Sequence, residues 1–196
     1  MNFSNLVLMA LEPWHIVLIV LAVVVFLVVS WWISTSNRLK VMGVKIDEAL
    51  SGIDVALTKR FDLLTKVVAT VKGYAKHEEE TLTKIIAMRN PGSAASLMEK
   101  QQFANATTEA LNSLNVVVEQ YPDLKANTSF LSLQNSISDV EEQLQAARRL
   151  YNANVSKYNQ SIIVFPTSIV ANASHLTKRD FFEAEEVKRQ DVKIEF

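Results

Sequence analysis

The sequence predicts an all-α protein: an N-terminal single transmembrane helix followed by a long antiparallel helical bundle, with three long helices and short C-terminal helices. Three observations lead there. One run of twenty residues is almost wholly apolar. Glycine and proline number four each, too few for a turn-rich β protein. Beyond the run, apolar residues recur at steps of three and four over long stretches. The chain divides accordingly into a short N-terminal segment (1–13), an anchor (14–34), a bundle (35–166) and a C-terminal link, short helix and tail (167–196).

The apolar run, WHIVLIVLAVVVFLVVSWWI from Trp14 to Ile33, has only His15 and Ser30 as polar members. At 1.5 Å per residue it is long enough to cross a hydrocarbon layer of about 30 Å. Trp14 at one end and Trp31 with Trp32 at the other match the aromatic belts that seat a spanning helix, and Pro13 suits a first helical turn. The preceding residues hold Glu12 but no Lys or Arg, and the run closes on bulky SWWI, so it reads as a retained anchor rather than a cleaved signal. Arg38, Lys40 and Lys45 follow the span and none precedes it. The positive-inside bias therefore puts the N-terminus outside and the bundle in the cytoplasm. His15 lies at the edge of the span, where an imidazole reaches headgroups and water.

After residue 13 the prolines are Pro91, Pro122 and Pro166, each at the end of an amphipathic pattern. The first helix is expected from about Asn37 to Arg89. Its stripe runs through Leu39, Met42, Ile46, Ala49, Ile53, Leu57, Phe61, Leu64, Val68, Val71, Ala75, Leu82 and Ile85. Gly43, Gly52 and Gly73 lie inside it at a cost of about 1 kcal/mol each relative to Ala, which either close helix approach or a tolerant surface accommodates. The second helix is expected over Ser93–Tyr121, with Leu97, Phe103, Ala106, Ala110, Leu114, Val117 and Tyr121 inward and a polar face rich in Gln, Asn and Thr. Pro122, Asp123 and Asn127 supply a turn and candidate caps. The third helix carries the cleanest stripe: Phe130, Leu133, Ile137, Val140, Leu144, Ala147, Tyr151, Val155, Tyr158, Ile162 and Phe165. An antiparallel bundle buries all three stripes. Pro166 ends the pattern, and a last short helix is expected from about Arg179.

Three blocks resemble the LemA family. The segment IDEALSGIDVALTKRFDLLTKVVATVKGYAKHEEETLTKIIAMRN is similar to its core, with the basic-aromatic-Asp-Leu step, V-K-G-Y-A and the Arg-Asn close. AARRLYNANVSKYNQSIIVFPTSIVA resembles its Arg-Tyr-Asn, Tyr-Asn and Phe-Pro segment, and DFFEAEE its C-terminal block. The departures are Leu50 where a Trp is usual, Thr65 and Lys66 in place of a Pro-Asn pair, and NASHLTKR where a glycine and a phenylalanine follow Phe-Pro. The resemblance implies a single-span protein of the bacterial inner membrane with a long helical bundle, and it supplies no activity.

The residues offer little chemistry. Lys plus Arg number 20 against 21 Asp plus Glu, which gives no basic footprint for nucleic acid, and no cysteine provides a thiolate or a disulfide. His77-Glu78 opens like the zinc-hydrolase signature H-E-x-x-H, but Thr81 stands where the second imidazole belongs, one turn on. Glu80 and Lys84 instead pair in the favourable i, i+4 order of a solvated face. Isolated glycines cannot cradle a phosphate, no G-x-S-x-G elbow is present, and Asp47, Glu48, Asp54 and Asp62 have no E-x-x-H partner. Catalytic, cofactor and metal residues are therefore expected to be none, and no small-molecule substrate is expected. Tyr151-Asn152 and Tyr158-Asn159 repeat at seven, with the rings on the buried stripe and the amides beside it, placed to bond a neighbouring helix.

A first helix about 80 Å long would outrun a second of about 44 Å and a third of about 54 Å. That mismatch would leave Leu39, Met42, Ile46, Ala49, Ile53 and Leu57 short of partners, and an exposed apolar stripe marks an interface. The expectation is a scaffold in contact with membrane lipid that self-associates into a homo-oligomer along this stripe or packs on another membrane protein. The alternatives are a membrane-tethered adaptor or sensor acting through the bundle surface and, with less support, a membrane hydrolase using His77 and His175.

Overall fold

A computed structural model of the protein describes residues 13–75 and 78–183. Every regular element among them is helical: α1 (Pro13–Lys72), α2 (Glu79–Ile86), α3 (Leu97–Glu119), α4 (Pro122–Lys125), α5 (Thr128–Ile163) and α6 (Thr167–Ala173). The chain forms two compact units. The anchor unit takes the chain up to Val44 with Lys157–Lys178, and the bundle unit takes Lys45–Ser156 with the segment from Arg179 onward. His77, residues 1–12 and most of the helix expected from Arg179 lie outside the described residues. Of that last element, 179–183 are described and are not helical.

The apolar run and the first amphipathic helix are one helix of 60 residues. Helical hydrogen bonding continues through Ser34, Thr35 and Ser36 because nothing there breaks it, with neither proline nor glycine present. Residues from Trp14 to Ser34 bury no side chain, and the segment is long and apolar enough to cross a membrane. Trp14 stacks on His15 with ring centroids 3.7 Å apart at the start of the span.

α1 ends at Lys72, not near Arg89. Gly73 and Tyr74 form a turn in which the Tyr74 and Ala75 amides both donate to the Val71 carbonyl at 2.9 Å. Leu82 and Ile85 nevertheless join the same core as Leu64, Val68, Val71 and Ala75. The spacing thus named the right inward residues while missing the reversal between them. α2 carries the chain back along α1 until the Asn90 amide donates to the Thr58 hydroxyl at 3.0 Å. Asn90 Oδ1 then accepts from the Gly92 amide, and Gly92 adopts φ +81, a left-handed turn position that suits a residue without Cβ.

This return changes the direction of the next helix. α3 starts beside Asp54, passes Arg60 at Ala104 and Thr107, and reaches the Leu64–Val71 core with Leu114 and Val117. It therefore runs parallel to α1 rather than back along it. Ser96 caps it in a capping box, with the Ser96 amide donating to Glu99 Oε2 at 2.7 Å and the Glu99 amide donating to the Ser96 hydroxyl at 3.3 Å. α4 turns the chain over Leu124, which is fully buried. Asn127 caps α5, accepting from the Ser129 and Phe130 amides. α5 runs antiparallel to α1, with Glu141 beside Arg60 and Asn154 bonded to the Lys45 carbonyl.

The stripe expected to be exposed is buried. Leu39, Ile46, Ala49, Ile53 and Leu57 are all in the core and Met42 is half-buried. The length argument fails because α1 ends early. Its part beyond the span, residues 37–72, has 36 residues, the same number as α5. Along α5 the expected stripe is buried or half-buried up to Ile162. The exception is Phe165, which lies past the helix end and is 76% exposed.

The glycines also resolve. A Cβ added at Gly43 or Gly52 would meet nothing within 4 Å, so both sit on a tolerant surface, and Gly73 marks the turn. α6 ends in a Schellman arrangement in which the His175 amide donates to Asn172 and the Leu176 amide donates to Ala171, each at 3.0 Å. His175 supplies the left-handed residue, with φ +51.

Candidate functional site

The polar chemistry of the bundle unit concentrates where sequence spacing shows an apolar stripe interrupted by charge. Arg60 falls three residues after Leu57 and four before Leu64, so helical geometry turns it inward, and its side chain is 2% exposed. Its guanidinium donates to the Ala104 carbonyl and the Thr107 hydroxyl at 3.0 Å and to the Thr108 hydroxyl at 2.9 Å. It also pairs with Glu141 Oε2 at 2.8 Å. A planar fork satisfied on several donors is the form in which an interior accepts a cation.

Lys100 repeats the device. It lies three residues after Leu97 and three before Phe103 on the inward side of α3, and its ammonium pairs with Asp54 and donates to the Ser93 carbonyl at 2.9 Å. The two ionic clusters thus join α1 to α3, and the first reaches α5 as well. Neither was singled out from the sequence. A charged residue at a core position of a three-four stripe, with an opposite charge on another stripe's edge, is the signal that marks them.

The segment after α6 forms a third polar assembly. Asn152 reads the Phe182 backbone at both its groups, donating to the carbonyl at 2.9 Å and accepting from the amide at 2.8 Å. Tyr151 donates its hydroxyl to the Asp180 carbonyl at 3.0 Å, Gln101 donates to the Phe181 carbonyl at 3.2 Å, and Arg148 lies 4.9 Å over the Phe182 ring. The buried Tyr rings follow the expectation. The Asn152 amide does not, because its partner is an extended strap rather than a helix. Burial, partly opposed by nearby Arg179, pushes the Tyr151 phenol above its ordinary value of 10.0.

Beside the first cluster the surface is concave. A groove of about 340 Å³ between α3 and α5 is lined by the amides Asn112, Asn115 and Gln134, the hydroxyls Thr108 and Ser138 and the apolar Leu111 and Ile137, together with Arg60 and Glu141. Its polar groups are hydrogen-bond donors and acceptors, set beside two aliphatic side chains. Among the described residues no three His, Asp or Glu side chains gather as a metal-binding group. His175 acts as a helix-ending residue. Glu80 and Lys84 pair at 2.7 Å on an exposed face, where hydrogen bonding from Lys84 lowers the Glu80 carboxyl below its ordinary value. Trp14, Trp31 and Trp32 stand exposed at the two ends of the apolar run.

Comparison with known proteins gives a consistent frame. The model of the LemA family matches residues 49–196. The chain is 31% identical to Protein LemA of Metamycoplasma hominis over 163 residues, 82% of this chain and 74% of that protein. A shorter likeness, 30% over 74 residues, links it to the magnetosome protein MamQ 1 of Paramagnetospirillum magneticum, covering 38% of this chain and 27% of the relative. The magnetosome protein MamQ of Magnetospirillum gryphiswaldense is 27% identical over 73 residues, with 37% and 27% covered.

Proposed function

The chain belongs to the LemA family, and from that premise we propose that it is a membrane-tethered adaptor that binds a protein partner through its bundle surface. The observation that carries this reading is the α3–α5 groove, a concave surface of amides and hydroxyls with Leu111 and Ile137 among them, beside an ion pair. Asn, Gln and Ser side chains offer adaptable hydrogen bonds, and Arg60 of α1, bonded to Ala104, Thr107 and Thr108 of α3 and to Glu141 of α5, ties the two walls together. Such a surface suits a peptide backbone or polar side chains of a partner. The apolar run of α1 supplies the tether in a bacterial inner membrane, and the flanking Arg38, Lys40 and Lys45 favour a cytoplasmic bundle. The magnetosome names belong to relatives matched over about a quarter of their length.

Copurification of the tagged full chain from native membranes tests the proposal, followed by mass measurement of the intact complex. Asn115→Leu with Gln134→Leu should release the partner while melting and circular dichroism stay unchanged. An unaltered complex in that variant overturns the groove as the docking place.

Self-association is the second reading, now on a different face. Val41, Val44 and Val55 are more than half exposed and lie on the side of α1 opposite the buried stripe. Val44→Glu with Val55→Glu should abolish crosslinked dimers in membranes if copies pack there, and wild-type chains that never crosslink dismiss the reading.

A further inference from the structure

The anchor unit contains an apolar tip that its own fold leaves uncovered. Among the described residues its buried side chains are Thr35 and Leu39 on α1, Tyr158 and Ile162 on α5, and Val170 and Ala171 on α6. Protein cover on α1 begins at Thr35, three residues after Trp32. That is about 4.5 Å along the helix, less than one turn past the aromatic belt. The cover comes from a unit whose other segment, Lys157–Lys178, reverses direction between α5 and α6. At that reversal Ile163, Val164, Phe165 and Ile169 are exposed, Phe165 most of all.

Charge in the same unit is one-sided. Its described residues carry Arg38, Lys40, Lys157 and Lys178, all exposed, and no Asp or Glu. Exposed cations in the same unit as an apolar tip, beside the end of a spanning segment, match the layered chemistry of a bilayer surface. Acyl chains suit the apolar tip and anionic headgroups suit the cations.

We propose that the α5–α6 turn is a second membrane contact, with Ile163, Val164, Phe165 and Ile169 seated in the interfacial layer of the bilayer that holds α1. The proposal rests on α1 being the tether. It deepens that reading by making the reversal at Pro166 a lipid-binding element rather than a free loop. It also accounts for Phe165, which continues the periodic pattern of α5 in sequence but joins no core.

The chain has no cysteine, so single labels report cleanly. The full chain is reconstituted in vesicles of mixed zwitterionic and anionic phospholipid with an environment-sensitive fluorophore at Phe165→Cys, at Val24→Cys within the span, or at Val116→Cys, which is exposed on the bundle. The Phe165 label should emit blue-shifted, be quenched by lipid-borne quenchers near the headgroups, and resist aqueous iodide. The Val116 label should show the opposite. A Phe165 label quenched by iodide as readily as Val116, while Val24 stays lipid-quenched, overturns this inference and leaves the tether standing. Iodide access at Val24 as well overturns the tether, and this inference with it. Adding Ile169→Glu should shift the Phe165 emission toward the red without altering that of Val24. An unchanged Phe165 emission in that variant also counts against the proposal.

Discussion

Arg60 makes four contacts with α3 and α5 from a position that sequence periodicity assigns to the core. Removing it strands buried acceptors and opens a void. Arg60→Ala should lower unfolding free energy by about 3–5 kcal/mol, whereas Arg60→Met, which refills the void but strands the same acceptors, should recover only part of that loss. Chemical denaturation of the two variants checks the order, and equal losses would mean that the stranded acceptors, not the void, set the cost at this position. Tyr151 makes a pH-dependent prediction. Its folded value is raised, so the neutral phenol contributes stability in full below the ordinary value of 10.0, and that contribution is lost as pH rises through the higher folded value. Ultraviolet titration should show one tyrosine ionising late. In Tyr151→Phe, which lacks the bond to Asp180, that late transition should vanish and stability should fall by about 1 kcal/mol.

Helix ends and surfaces govern the elements. Gly52 is helical and has open space above it, so Gly52→Ala should stabilise the bundle by about 0.5–1 kcal/mol, readable as a raised melting temperature. At the start of α3, Ser96→Ala removes the hydroxyl that accepts from the Glu99 amide and donates to Glu99 Oε2, at a cost of about 1 kcal/mol. Hydrogen bonding from Ser96 lowers the Glu99 carboxyl, so this cap helps stability above the ordinary value of 4.5 and weakens as pH falls through the depressed one. Much of this level was legible. The Asn127 cap, the inward faces and the ends at Pro122 and Pro166 follow from local rules. The break after Lys72 did not, because Ala75 and Leu82 stay inward across it and periodicity counts only inward residues. The clue was seven positions from Ala75 to Leu82 without an apolar residue between, directly after Gly73. The family resemblance carried a second clue. It expects a glycine after Phe-Pro, and the left-handed turn there falls on His175, a conformation that strains a residue with Cβ.

Across the whole molecule, the early end of α1 reversed an inference about function. A helix reaching Arg89 would have starved Ile46 and Ile53 of partners. The return through α2 instead lets α3 run parallel to α1 and α5 antiparallel, and the expected interface becomes core. Periodicity identifies which residues turn inward, but whether they meet their own chain or another depends on where the chain folds back. Native-state hydrogen exchange should show this organisation. Within the bundle unit, the slowest amides should lie at Val67–Val71 and Leu114–Val118, around the main core, and the fastest at Gly92–Ser93. Uniform protection along α1 and α3 would argue against a core concentrated there.

The partners of Arg60 are separated by the order in which the chain is made. Ala104, Thr107 and Thr108 lie 44 to 48 residues downstream, while Glu141 comes later still. At ordinary synthesis rates about 2–7 s pass between Thr108 and Glu141. During that interval α1, α2 and α3 can close on the cation with neutral acceptors alone. The carboxylate arrives last, with α5, as the charge that completes an already assembled pocket.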